Sequence, residues 1–123
     1  MPLTKTLLIL SFLSSLFGAT AQDNTAIKIL SATEFKQAIS KDSVQLLDVR
    51  TAPEFQSGHI KGAVNIDFLK SKLFIEGIHK LDKEMPVYLY CRSGSRSNKA
   101  AKQLISLGFQ EIYDLKGGYL GWN

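Results

Sequence analysis

Cysteine is almost absent from this chain: of its 123 residues only Cys91 carries a thiol. One thiol excludes an internal disulfide framework, so the fold has to rest on its apolar core. It also excludes metal sites built from CxxC pairs, and the two histidines, His59 and His79, have no ligand-cluster spacing. No metal or cofactor is expected. Long runs of one charge are missing too. The chain has 15 basic and 11 acidic residues, a mild excess that gives no reason to expect nucleic-acid binding. Internal repeats and low-complexity linkers are absent, and the length suits one domain.

A membrane-spanning run is lacking as well. The most apolar stretch, Leu7 to Phe17, is about half of the roughly 20 residues needed to cross a bilayer. It follows Lys5 and precedes Ala19-Thr20-Ala21, the pattern of an export signal cleaved after residue 21. The alternative is an uncleaved anchor, for which the run is short. The expectation is therefore a signal peptide over 1–21 and a mature domain over 22–123, exported to the periplasm or secreted, with no stable membrane anchor. No cysteine near the cleavage point offers a lipid attachment site.

What is present alternates between strands and helices. Ala26 to Leu30 reads as a strand, and Ser31 with Glu34 forms a capping box that opens a helix to about Ser40. Val44 to Val49 is apolar on both faces, as buried parallel strands are. Pro53 starts a short helix over 52–56, ended by Gly58. Ala63 to Ile66 is a third strand, and apolar spacing over Phe68 to Leu81 suits a helix interrupted near Gly77. Pro86 to Tyr90 is a fourth strand, followed by a helix from Ser95 to Leu107 and a fifth strand from Glu111 to Leu115. This order predicts an α/β fold with a mainly parallel five-stranded sheet and helices on both faces.

Cys91 falls where the fourth strand ends and the next helix has yet to begin. An odd thiol in an exported domain is an intermolecular link, a buried bystander or a reactive group. Its setting, C-R-S-G-S-R, favours the last. Ligands of open α/β sheets bind at the carboxyl ends of strands, beside helix N-termini. There the backbone from Arg92 through Ser93, Gly94 and Ser95 to Arg96 has to curl, with Gly94 permitting the turn. Curled N–H groups make an anion cradle that favours a thiolate. Arg92 and Arg96 add charge for binding an oxyanion. Asp48, Arg50 and Glu54, near the end of the second strand, read as structural support for the loop. His59 reads as turn architecture, and Trp122 as the anchor of the C-terminal segment.

These pieces, in order, resemble a rhodanese domain: Leu47-Asp48-Val49-Arg50, Glu54-Phe55, Gly58-His59-Ile60, Gly62-Ala63, Asn65-Ile66, Cys91-Arg92-Ser93-Gly94-Ser95-Arg96-Ser97 and Gly117-Gly118-Tyr119-Leu120-Gly121-Trp122. Lys61 and Asp67 stand where the family often has proline. The resemblance implies a sulfurtransferase in which Cys91 takes a sulfane sulfur from a small donor anion such as thiosulfate. The persulfide then passes it to cyanide, a thiol or a partner protein. Two rival readings stay open. One is a non-catalytic or persulfide-carrier binding module. The other is a cysteine phosphatase or arsenate reductase. The four residues between Cys91 and Arg96, one fewer than the usual phosphatase spacing, speak against the second. A disulfide redox role lacks a second cysteine to resolve it.

Overall fold

The computed structural model describes residues 26–41 and 43–122. The export segment and its boundary at residue 22 lie outside them. Five strands, β1 (Ile27–Leu30), β2 (Gln45–Asp48), β3 (Val64–Asn65), β4 (Val87–Tyr90) and β5 (Ile112–Leu115), form one sheet in the order β1-β5-β4-β2-β3. Every pairing is parallel. Helices α1 (Ala32–Lys41), α2 (Ala52–Ser57), α3 (Ser71–Ile78) and α4 (Ser95–Ser106) connect them, giving the α/β architecture expected of strands separated by helical patterns.

Two apolar layers flank the sheet. On one side Phe35 of α1 packs with Leu46, Ile60, Tyr90 and Leu115. On the other, Phe74 and Ile78 of α3 and Ala100, Ala101 and Leu104 of α4 meet Leu47, Leu89 and Ile112. Alternate residues of β2 and β4 thus serve opposite layers, as a period of two requires. Phe35 and Phe74 are fully buried, each contributing on the order of 2–3 kcal/mol of hydrophobic stabilisation. Trp122 does anchor the C-terminal segment: its ring meets Phe35 edge-on at 6.0 Å between centroids.

The local signals explain the boundaries. Ser31 and Glu34 exchange capping hydrogen bonds at 2.9 and 3.1 Å. Thr51 and Glu54 do the same at the start of α2, where Pro53 occupies the first turn. The main departure is α3, which covers Ser71–Ile78 rather than 68–81. Phe68 and Leu69 form a turn instead, with Phe68 N–H bonded to the Val49 carbonyl at 3.1 Å. The apolar pair Phe68–Leu69 therefore belongs to a turn that packs Phe68 edge-on against Phe74, with centroids 5.2 Å apart. Gly77 does not interrupt α3. A Cβ there would come within 2.8 Å of Ile66 Cγ2, so glycine lets the helix lie close to the chain after β3.

Candidate active site

Topology sets the location before any side chain does. The connection leaving β2 runs outward to β3, while the one leaving β4 runs the opposite way to β5. Neighbouring strands whose connections diverge leave a crevice at their carboxyl ends, the usual ligand position in open α/β sheets. The segments that follow β2 and β4, 49–54 and 91–97, come together at this end, where Arg96 of one reaches Glu54 of the other.

Cys91 directly follows β4 and is 1% exposed. The chain then reverses through Gly94, whose φ of 115° lies in the left-handed region that glycine tolerates, and α4 begins. This turn brings the Gly94 N–H back onto Cys91 Sγ at 3.0 Å. The thiol in turn donates to Ser97 Oγ at 3.4 Å, and the Ser97 hydroxyl donates to the Gly94 carbonyl at 3.2 Å. No side chain caps the start of α4, so the helix end faces the loop with its partial positive charge. Arg92, Ser93 and Ser95 are exposed around the rim.

Arg96 is placed less simply than its sequence position suggests. Its two terminal nitrogens grip Glu54 at 2.8 and 2.9 Å, spanning the crevice from α4 to α2. That grip, chiefly, holds the Glu54 carboxyl far below the ordinary range, at about 2, with Thr51 helping. The guanidinium is close enough for Cys91 to contribute to its environment. The positive charge near the sulfur is thus fixed in place by α2.

Asp48 and Arg50 build the wall behind. The Asp48 carboxylate accepts from the Arg50 backbone N–H at 2.9 Å and from its Nη2 at 2.7 Å. Arg50 Nη2 also donates to the Gly58 carbonyl at 2.6 Å. Burial works against the Arg50 charge, and Asp48 more than offsets it. Its guanidinium lies 4.3 Å from the ring of Tyr119 and 5.5 Å from that of Tyr90. His59 is engaged with Phe55, donating from Nδ1 to the Phe55 carbonyl at 2.8 Å and stacking on the Phe55 ring.

Three contributors went unassigned in the sequence reading. Ser97 touches the sulfur from one turn inside α4. Asp114 lies buried on β5, and its signal was legible as an acid within an otherwise apolar strand. Gly118 is the third. The N–H groups of Tyr119 and Leu120 bond the carbonyls of Cys91 and Arg92 at 2.8 and 3.1 Å. A Cβ on Gly118 would lie 2.5 Å from the Arg92 oxygen, at a φ of 63°. Only glycine lets the C-terminal turn press against the cysteine loop.

Residues 31–123 match the family model described as a rhodanese-like domain. The chain belongs to that family. Relatives match along most of its length. The uncharacterized protein YqhL of Bacillus subtilis is 37% identical over 112 residues, covering 91% of this chain and 85% of YqhL. A protein of Shewanella oneidensis named thiosulfate sulfurtransferase GlpE is 33% identical, covering 80% of this chain and 95% of its own. The crystal structure of a rhodanese-like domain protein from Staphylococcus aureus superimposes with a TM-score of 0.69 at 27% identity. It covers 78% of this chain and 91% of its own. The five-stranded parallel sheet is therefore the rhodanese-like sheet.

Proposed function

We propose that this rhodanese-like domain is a sulfurtransferase that carries a sulfane sulfur on Cys91. The observation that carries the reading is the Gly94 N–H pointing at Cys91 Sγ from 3.0 Å, at the open start of α4. Such a donor favours a sulfur anion over a neutral thiol. The relatives named thiosulfate sulfurtransferase support thiosulfate as the donor.

In the proposed first step the Cys91 thiolate attacks the outer sulfur of thiosulfate. A new sulfur–sulfur bond forms, the old one breaks, and sulfite departs with the electron pair. The terminal sulfur of the persulfide is then the anion that the loop amides and the helix end stabilise. In the second step an acceptor, cyanide or a thiolate, attacks that terminal sulfur and the Cys91 thiolate leaves. The two half-reactions form a ping-pong cycle, and neither needs a separate general base if the thiolate is already formed. Export of the domain is part of the proposal, on the strength of the apolar Leu7–Phe17 segment and Ala19-Thr20-Ala21.

The test is intact mass after reduction and incubation with thiosulfate. One added sulfur atom is expected on the wild-type protein, lost on addition of cyanide and absent in Cys91→Ser. Sulfur uptake with turnover only when a protein acceptor is supplied would favour a carrier. Cleavage of an aryl phosphate without sulfur uptake would replace the proposal with a phosphatase. Neither activity would favour a binding module.

A further inference from the structure

A groove of about 510 Å³ opens at the β3 edge of the sheet, between β3 and α3, and the two-step cycle leaves it without a task. Lys70, Leu73, Gly77 and Lys80 line it at intervals of three and four, so they share one face of α3 and its flanking residues. Val64 and Ile66 form the facing wall. The two walls meet where Gly77 lies against Ile66, too close for any side chain at 77. Val64 and Leu73 are each 56% exposed, an apolar lining left open to water. Such a patch between charged residues marks an interaction site.

Two features say what fits there. The first is the free edge of β3. The Ile66 N–H bonds the Asp48 carbonyl at 2.9 Å, which turns the backbone of Val64 and Ile66 toward β2 and that of Asn65, between them, outward. Because β3 ends the sheet, the Asn65 N–H and carbonyl are a donor and an acceptor with no neighbouring strand. An extended peptide satisfies both at once. The second feature is charge. Lys70 and Lys80 stand ten positions apart, about 15 Å at a helical rise. Among the described residues neither lysine is in an ion pair. The one acid in the lining, Asp67, has its Oδ1 taken up by the Leu69 N–H at 2.9 Å. An extended segment of about five residues covers the distance between the lysines, so acidic side chains at its two ends would meet them.

We propose that this groove docks an extended segment of the protein that accepts the sulfur, aliphatic in its middle, acidic at both ends and laid along the free edge of β3. The groove adjoins the reactive end of the sheet. Asn65 Nδ2 donates to the Asp48 and Arg50 carbonyls at 3.0 and 2.8 Å. Ala52, also in the lining, opens the helix whose Glu54 holds Arg96. A partner held there stands beside the crevice in which its thiolate attacks the terminal sulfur of the persulfide and the Cys91 thiolate leaves. The role in acceptance rests on Cys91 being the sulfur carrier.

The experiment follows the backbone amide signals of the isotope-labelled protein as capped peptides of about five residues are added. The first has glutamate at both ends and valine, leucine and valine between. The second has lysine at both ends, and the third is the first with its central amides N-methylated. The acidic peptide is expected to shift the amides of 64–66 and 70–81 and to bind about tenfold more tightly than the lysine peptide. The methylated peptide should not bind. Lys70→Glu combined with Lys80→Glu should reverse the preference between the charged peptides. With one cysteine added at either end, the acidic peptide should accept sulfur from the loaded protein with the lower KM. That advantage should vanish in the double variant, whose sulfur uptake from thiosulfate should stay as in the wild type. No binding of the acidic peptide, equal binding of the lysine or methylated peptide, or an unchanged preference in the double variant would overturn the proposal. Octanoate shifting the same amides would replace the segment with a small apolar acid, and shifts that follow protein concentration alone would replace it with a second copy of the chain. A wild-type protein that takes up no sulfur yet binds the acidic peptide would refute the sulfurtransferase reading and leave the groove standing. Sulfur transfer to both cysteine peptides alike would do the opposite.

Discussion

Arg96 and Glu54 are 42 positions apart in sequence, yet they close a two-pronged ion pair across the crevice, at 2.8 and 2.9 Å. Glu54 is simultaneously the capping residue of α2, accepting from the Thr51 backbone N–H at 3.0 Å. One carboxylate therefore fixes a helix end and the cation beside the sulfur. Such a pair has a definite acid signature. Glu54 is lowered from 4.5 to about 2 in the folded chain. Its stabilisation is present in full above the unfolded value and is lost as pH falls toward 2. Glu54→Gln should destabilise the domain by about 1–2 kcal/mol at neutral pH, after allowing for solvent screening. Urea denaturation should show the two proteins converging near pH 2; a constant gap down to that pH would contradict the assignment.

Arg96→Ala removes the charge itself. Losing a charge-assisted contact of this kind typically costs about 1.5–3 kcal/mol, or roughly ten- to a hundredfold in kcat/KM for thiosulfate. Glu54→Gln, which keeps Arg96, should lose less. Steady-state kinetics on both variants check the ordering, and equal losses would mean that the pair matters as scaffold rather than as charge.

Gly118→Ala should be among the most damaging single substitutions outside the crevice. The added methyl has no space beside the Arg92 and Cys91 carbonyls, and the backbone conformation is unfavourable to any side chain. A loss of about 1–3 kcal/mol is expected, together with faster alkylation of Cys91 as its loop loosens. Gly121→Ala is the internal control, because a Cβ there meets nothing within 4 Å. Similar melting temperatures for the two variants would refute the close-approach explanation.

Arg50→Ala strands the Asp48 carboxylate, which is 0% exposed. Removing one partner of a buried ion pair costs about 3–5 kcal/mol, a large share of a small domain's stability. Thermal denaturation measures it. A shift of only a degree or two would indicate that water replaces the guanidinium.

The fold was legible because its signals are local and mutually consistent. Ser31 with Glu34, Pro53 and the two-sided apolar strand Leu46–Leu47 each specify their element without help from distant residues. Cys91 was legible for a related reason, since a strand end, a glycine turn and a helix start are contiguous in sequence. The pairing of Arg96 with Glu54 was not, because two exposed-looking charges carry no record of which partner the fold brings near. The α3 boundary was misjudged where Phe68 is apolar for the sake of a tertiary contact with Phe74. Asp114 lay between these cases. Its strand was recognised, but the burial of its carboxyl depends on how α4 settles over β5.

The hydrogen bonds from Tyr119 and Leu120 to the cysteine loop also impose a timetable on the nascent chain. Synthesis runs from the N-terminus, and early segments take up structure before later ones emerge. Here β1 acquires its partner only when β5 has been made, and the carbonyls of Cys91 and Arg92 wait longer still. A chain elongated only through α4 therefore presents its thiol before the loop around it has closed. The cysteine loop thus receives its last two backbone hydrogen bonds only after the C-terminal turn has been made, and a chain halted before that turn lacks both.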